Sequence, residues 1–320
     1  MIDIESIKQK VLNGLSISLQ EAKDLSLVSN KEDLYKAAGE IRDHFSGRQF
    51  DMCSIINAKS GLCSEDCKWC SQSSFYHTKV ESYELVDEQK AVQQACLNAN
   101  QGVQKYSLVT SGKALSEANL NQLLSIYRQI KVKAKIGLCA SMGLLDKEAL
   151  KKLKDAGVEH YHCNLETSRS YFPALCSTHT YNQKIQTIRW AQELGMKVCS
   201  GGIIGMDETM NDRIELAFEL NKLGIDSIPV NILNPVAGTP LEGTSPLSDE
   251  EVLTSFALFR FINPKAKIRF AGGRMQIKHL QQKALAAGVN AALVGDLLTT
   301  IGSNIEEDKQ AFIRAGFDIN

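Results

Sequence analysis

The chain has 320 residues, 43% of them hydrophobic, with 36 basic and 37 acidic side chains and a formal net charge of -1. That balance points to neither nucleic acid nor an anionic membrane surface and suits a small neutral or acidic ligand. Nine cysteines are an odd count without the short, even framework of a secreted disulfide scaffold, so the thiols read as free, in a reducing compartment. Residues 1–20 lack a positive start followed by an apolar core, and no apolar run reaches the roughly 18 residues that span a bilayer. A cytoplasmic protein is expected.

Residues 1–45 read as a helical extension. Ser18 and Glu21 form a capping box ahead of Ala22, Leu25 and Leu27, and Leu34, Ala37, Ala38, Ile41 and Phe45 recur at helical spacing. From 46 to 320 the chain alternates. Strands are expected near 50–56, 103–109, 134–140, 158–164, 197–204, 226–232, 267–271 and 290–294. Helices are expected at 87–100, 116–131, 146–156, 181–194, 207–223, 248–262 and 275–287, with a short C-terminal helix. Gly157, Gly195, Gly224 and Gly288 stand where helix stops belong. Eight strands alternating with helices predict an α/β fold, a (β/α)8 TIM-type barrel. An open doubly wound sheet would place a Gly-rich phosphate loop after the first strand, where this chain has cysteines instead.

Those cysteines are Cys63, Cys67 and Cys70, separated by three and then two residues. This spacing can wrap a loop around three corners of a cubane cluster and leave the fourth iron open to a ligand. A structural zinc site would call for four ligands, and no partner pair follows nearby. In a barrel the loop after strand one lies at the C-terminal mouth, where such folds do their chemistry.

The triplet, with aromatic Trp69 just before its last cysteine, resembles the signature of radical S-adenosylmethionine (SAM) enzymes. The stretches Tyr161–Thr167, Lys197–Gly205 and Gly238–Leu241 are similar to those of the biotin synthases within that superfamily, and the likeness runs from about residue 50 to the end. The resemblance implies sulfur insertion into dethiobiotin. SAM bound at a [4Fe-4S] cluster on Cys63, Cys67 and Cys70 would yield a 5'-deoxyadenosyl radical, and an auxiliary iron–sulfur cluster would donate the sulfur. It further implies a flavodoxin- or ferredoxin-type electron donor, supply by the iron–sulfur assembly machinery, and a homodimer. Nucleic acid and membrane are not expected partners. The competing readings are another radical SAM barrel enzyme, of hydrogenase-maturase or mutase type, and a non-catalytic iron–sulfur carrier.

Six cysteines remain. Cys96 sits on an apolar helix face and Cys176 in a loop without a signal. Strand parity turns Cys163 away from Asn164 and Glu166, toward the outer helices, which leaves Cys53, Cys139 and Cys199 for one interior site. In the usual family pattern the auxiliary cluster has two irons, three cysteines and an arginine; Cys139, Cys199 and Arg269 fall on three of those positions. The fourth, a cysteine on strand two, is Ser107 here, while Cys53 stands where the family has serine. One thiolate has moved, and the set could hold a two-iron cluster with Arg269 or a four-iron cluster with one exchangeable corner. By the same resemblance Trp69, Asn164, Glu166, Lys184 and Ile203 contact SAM, with Lys184 in place of the usual arginine and Glu166 in place of aspartate. Asn164 and Asn231 meet the ureido ring of the substrate. Alternatively, Asn164 and Asn231 satisfy strand-end backbone groups.

Overall fold

The glycine stops are the plainest link between sequence and local structure. Gly157, Gly195, Gly224 and Gly288 adopt φ of 102°, 71°, 64° and 100°. After each, the next N–H turns back five residues: Val158 to Leu153, Met196 to Ala191, Ile225 to Leu220, Val289 to Ala284. This closes the last turn and throws the chain toward the next strand. The helices that stop at Gly195 and Gly224 open on capping boxes at Thr180/Gln183 and Thr209/Asp212, and a third box, Ser248/Glu251, opens the helix from Asp249 to Ile262.

The computed structural model describes residues 2–299 and 302–319. Three helices come first, α1 (Ile4–Leu12), α2 (Leu19–Ser26) and α3 (Lys31–Ser46); the Ser18/Glu21 capping box opens α2. The strands are β1 (Asp51–Lys59), β2 (Lys105–Thr110), β3 (Gly137–Ser141), β4 (His160–His162), β5 (Lys197–Cys199), β6 (Gly202–Ile204), β7 (Ser227–Ile232), β8 (Lys267–Phe270) and β9 (Ala291–Leu293). Between and after them lie α4 (Glu88–Asn100), α5 (Glu117–Lys133), α6 (Lys147–Asp155), α7 (Phe172–Leu175), α8 (Tyr181–Glu193), α9 (Met210–Lys222), α10 (Asp249–Ile262), α11 (Gln281–Ala286) and α12 (Ile305–Arg314). All strand pairings between these elements are parallel, β1 pairs with both β2 and β9, and β5 pairs with β7. Since β5 and β6 are two pieces of one stave, the sheet closes as an eight-stave barrel.

The strand expected over 197–204 is broken at Ser200–Gly201, and its register to β7 carries across the gap: Cys199 opposite Ser227, Gly202 opposite Val230. Pro229 has no N–H to complete the ladder there, and Gly201 packs against it so closely that an added Cβ would collide with the Pro229 carbonyl. Gly201→Ala is therefore expected to cost about 1–3 kcal/mol, the usual penalty of overpacking; a denaturant midpoint equal to that of the parent chain would refute this contact. The helix expected at 275–287 is likewise interrupted, a 3-10 segment Arg274–Leu280 with a kink at Ile277 preceding α11.

The N-terminal helices share one apolar core with the barrel helices. α3 packs on α10 and α11, and α2 on α9 and α10. This explains why α10 is buried on all sides from Val252 through Ile262: one face meets the sheet, the other the extension. Within it Arg260 is fully buried, its guanidinium donating to the carbonyls of Gly288, Pro264 and Ala266 and to Asn290 Oδ1. Among the described residues no helix is long and apolar enough to cross a membrane.

Candidate functional site: a barrel-long cavity between two sets of thiols

A cavity of about 530 Å3 runs through the barrel, lined near the C-terminal mouth by Trp69, Cys70 and Gln72 and deeper by Cys53, Cys139, Cys199 and Arg269. Alternation along the strands delivers this lining: Cys53 and Ile55, Ser107 and Val109, Cys139 and Ser141, His160 and His162, Asn164 and Glu166 all face inward. Cys163, of opposite parity, is buried in the core outside the lining, as parity requires. Ser107 Oγ, His160 Nδ1 and Glu166 Oε2 are buried there without a hydrogen-bond partner among the described residues. Such orphaned atoms inside a cavity mark a place for polar ligands.

At the mouth, Cys63, Cys67 and Cys70 lie on one loop folded back on itself. Cys63 N–H donates to Gln72 O at 2.9 Å, Ser74 N–H to Cys63 O at 2.8 Å and Cys70 N–H to Cys67 O at 3.0 Å. Asp66 pins the loop to the segment after α7, accepting from the N–H of Ser177 at 2.9 Å and of Thr178 at 3.2 Å. Burial pushes the Cys63 thiol up and that of Cys70 to about 11, and a hydrogen bond to Cys176 together with burial raises Cys67. Only a cationic centre would deprotonate three such thiols. The donor set thus fits an iron–sulfur cluster.

Cys176, for which the sequence offers no role, lies with its Sγ 3.8 Å from Cys67 Sγ and 3.3 Å from His179 Nδ1. His179 in turn meets Glu65 at 2.6 Å. Only the tertiary fold brings this group to the cluster loop, since Cys176 is 109 residues from Cys67.

Deep in the barrel, register places Ser107 opposite Cys139 on β3 and opposite Ile55 on β1. Cys53, two residues before Ile55 on the same inward face, stands opposite Lys105, and its thiol and that of Cys139 hydrogen-bond to each other; that bond lowers the pKa of Cys53 and raises that of Cys139. Cys199 donates to Ser227 Oγ at 3.4 Å, and burial raises its thiol. Arg269, buried, donates from Nη2 to Asp51 Oδ1, from Nη1 to Asp51 O at 3.2 Å and Ala292 O at 2.9 Å, and from Nε to Ser227 Oγ at 3.4 Å. Burial would raise the Asp51 carboxyl, but Arg269, Lys105 and Lys267 hold it far below the usual range.

Of the other residues singled out in the sequence, Trp69, Asn164, Glu166, Ile203 and Asn231 line the cavity and Lys184 does not. Lys184 is buried, with its ammonium 5.6 Å over the Phe172 ring. Asn164 Oδ1 accepts from Gly201 N–H at 3.0 Å. Asn231 donates to Gly202 O at 3.0 Å and accepts from Gly272 N–H at 2.8 Å. Both amides thus tie strand ends together, and the Asn164 side chain also hydrogen-bonds to the Glu166 carboxylate. Glu166 has φ of 76° and a pKa raised by burial. A non-glycine residue held in the left-handed region is strain of the kind that clusters at ligand sites.

A parallel barrel with a three-cysteine loop at its C-terminal mouth defines a radical SAM barrel. Residues 59–220 match the Radical SAM superfamily and residues 229–318 the Biotin and Thiamin Synthesis associated domain. The chain belongs to the biotin synthase family: it is 53% identical to the biotin synthase of Parabacteroides distasonis over 99% of this chain and 97% of that one. It is 51% identical to that of Porphyromonas gingivalis (99% and 96% covered) and 47% to that of Clostridium botulinum strain Loch Maree (100% of both). Among solved structures, methylornithine synthase superposes with a TM-score of 0.84 at 20% identity, covering 98% of this chain and 97% of that one. The FeFe-hydrogenase maturase of Carboxydothermus hydrogenoformans gives 0.81 at 19%, covering 98% and 78%. At such identities these two show the fold alone.

Proposed function

We infer that this chain inserts sulfur into dethiobiotin to form biotin, with a [4Fe-4S] cluster on Cys63, Cys67 and Cys70, SAM at that cluster, an external reductant, and an auxiliary iron–sulfur cluster on Cys53, Cys139 and Cys199. The observation that carries this reading is that Cys70 of the cluster loop and the three interior thiols line one continuous cavity. No side-chain acid or base has a pKa that could remove protons from unactivated carbons. When bound, the cofactors supply a 5'-deoxyadenosyl radical and the sulfur that replaces the lost hydrogens.

The protein's share is positioning and exclusion of water. Trp69, Glu166, Ile203 and Asn164 surround the SAM position, Glu166 with an unused carboxylate oxygen facing the cavity. Lys184 contributes its charge from behind the wall, where the Glu166 carboxylate feels it. Asn164 and Asn231 present amide edges to the ureido group while bracing the strand ends. Arg269 has each of its nitrogens engaged with Asp51, Ala292 or Ser227, so it offers no lone pair to iron. That favours a four-iron auxiliary cluster on three thiolates with one exchangeable corner over a two-iron cluster ligated by arginine. Arg269 then balances the thiolate charge. A flavodoxin- or ferredoxin-type donor, the iron–sulfur assembly machinery, a homodimer and a cytoplasmic location complete the reading.

An anaerobic assay with dethiobiotin, SAM and reductant tests it. Formation of 5'-deoxyadenosine and biotin is expected, and deoxyadenosine without biotin overturns it. Glu166→Gln is expected to weaken SAM binding to the reconstituted protein by about tenfold or more, since a hydrogen bond to a charged group contributes about 1.5–3 kcal/mol. Unchanged affinity by equilibrium dialysis would remove Glu166 from the SAM site.

A further inference from the structure

The cavity does not end at the auxiliary thiols. Its lining continues to the opposite, N-terminal end of the barrel, where Lys105, Lys197, Lys265 and Lys267 converge. Lys197 and Lys265 are exposed, Lys105 and Lys267 half-buried. The first three strands of contact are set by register: Lys105 pairs with Cys53, and His160 with both Cys139 and Lys197. The lysine cluster therefore adjoins the thiols, Lys105 opposite Cys53 and Lys197 two residues before Cys199 on one strand. The carboxylate of Asp226 lines the cavity at this end, and that of Asp51 reaches it through Lys105 and Lys267. Asp51 is spent on Lys105, Lys267 and Arg269, with Lys267 Nζ at 2.5 Å. The mouth keeps an excess of positive charge, which contrasts with the chain's net charge of -1. His160 Nδ1 sits here, buried and without a hydrogen-bond partner among the described residues.

We propose that the N-terminal mouth is the route by which a small sulfur anion, hydrosulfide, reaches the Cys53–Cys139–Cys199 pocket. The proposal rests on the assignment of that pocket to a sulfur-donating auxiliary cluster. SAM and dethiobiotin occupy the C-terminal end of the cavity, so an anion arriving from the other end need not wait for them to leave. The lysines concentrate it by focusing the field in a low-dielectric channel. His160, beside Cys139 in register, keeps a buried ring nitrogen without a partner among the described residues on this path.

The test uses the anaerobically reconstituted protein after turnover, given radiolabelled sodium sulfide, with label in protein-bound acid-labile sulfide as readout. Iron and sulfide are counted beforehand. Uptake by the parent protein is expected to slow several-fold from low to high salt, because exposed lysines are screened beyond about a Debye length. Lys197→Glu with Lys265→Glu is expected to slow it by about tenfold at low salt, the lower range of electrostatic steering, and to abolish the salt dependence. Salt-independent uptake by the parent protein, or equal uptake by the double variant, overturns the route. A protein that contains only one cluster before turnover removes the auxiliary-cluster reading itself and the route with it; two clusters with charge-indifferent uptake removes the route alone.

Discussion

Cys53→Ser is expected to lower biotin formation more than about 100-fold while reductive cleavage of SAM to 5'-deoxyadenosine continues. Loss of groups that merely support a metal ligand costs about 10- to 100-fold, and Cys53 is proposed as a ligand. A serine oxygen is a poor substitute for a soft thiolate on iron. Because Ser107 pairs with Cys139 and lines the same cavity as Cys53, a thiol at 107 would reach the same space. The double variant Cys53→Ser with Ser107→Cys is therefore expected to regain auxiliary iron and part of the activity. Iron and sulfide counts decide the matter: an undiminished two-cluster content in Cys53→Ser would remove Cys53 from the site, whatever the activity.

The second large effect concerns Asp51, whose carboxylate faces Arg269, Lys105 and Lys267 at once. Asp51→Ala leaves a buried guanidinium without its partner, and breaking a buried pair from one side costs about 3–5 kcal/mol. Asp51→Asn, which keeps the shape and one acceptor, is expected to lose less. The folded-state pKa of Asp51 is depressed, so its contribution is fully present above the unfolded value of about 3.9 and is lost as pH falls below it toward the folded value. The parent chain's advantage over Asp51→Ala should thus hold from neutrality to about pH 4 and shrink below. Denaturant unfolding across that range measures it; equal midpoints at pH 7 would mean that Arg269 is satisfied by the carbonyls of Asp51 and Ala292 alone.

How much of this was legible in the chain differs by element. Helix stops at Gly157, Gly195, Gly224 and Gly288 are local events, decided by a few residues that need a left-handed turn. The inward set on each strand follows from period two, so the separation of Cys163 from Cys139 and Cys199 could be read in advance. The break at Ser200–Gly201 could not, because it depends on Pro229, a residue on the neighbouring stave. The same holds for Cys176, which a loop of no evident pattern brings against Cys67. Lys184 carries the charge expected at its place in the chain, yet helix packing points it at Phe172 and the wall of the cavity.

By itself the sequence determined the alternation of strands and helices, the cluster loop after the first strand and the facing of the interior thiols, because all three depend on spacing within single elements. The closed barrel decided the rest. Closure set which staves adjoin, and through that it paired Asp51 with Arg269, drew Cys53 to Cys139 across β2, and gathered lysines from β2, β5 and the start of β8 at one mouth. Interactions of that kind have no signature in any one stretch of chain, since each partner acquires its neighbour only when the sheet curls back to meet itself.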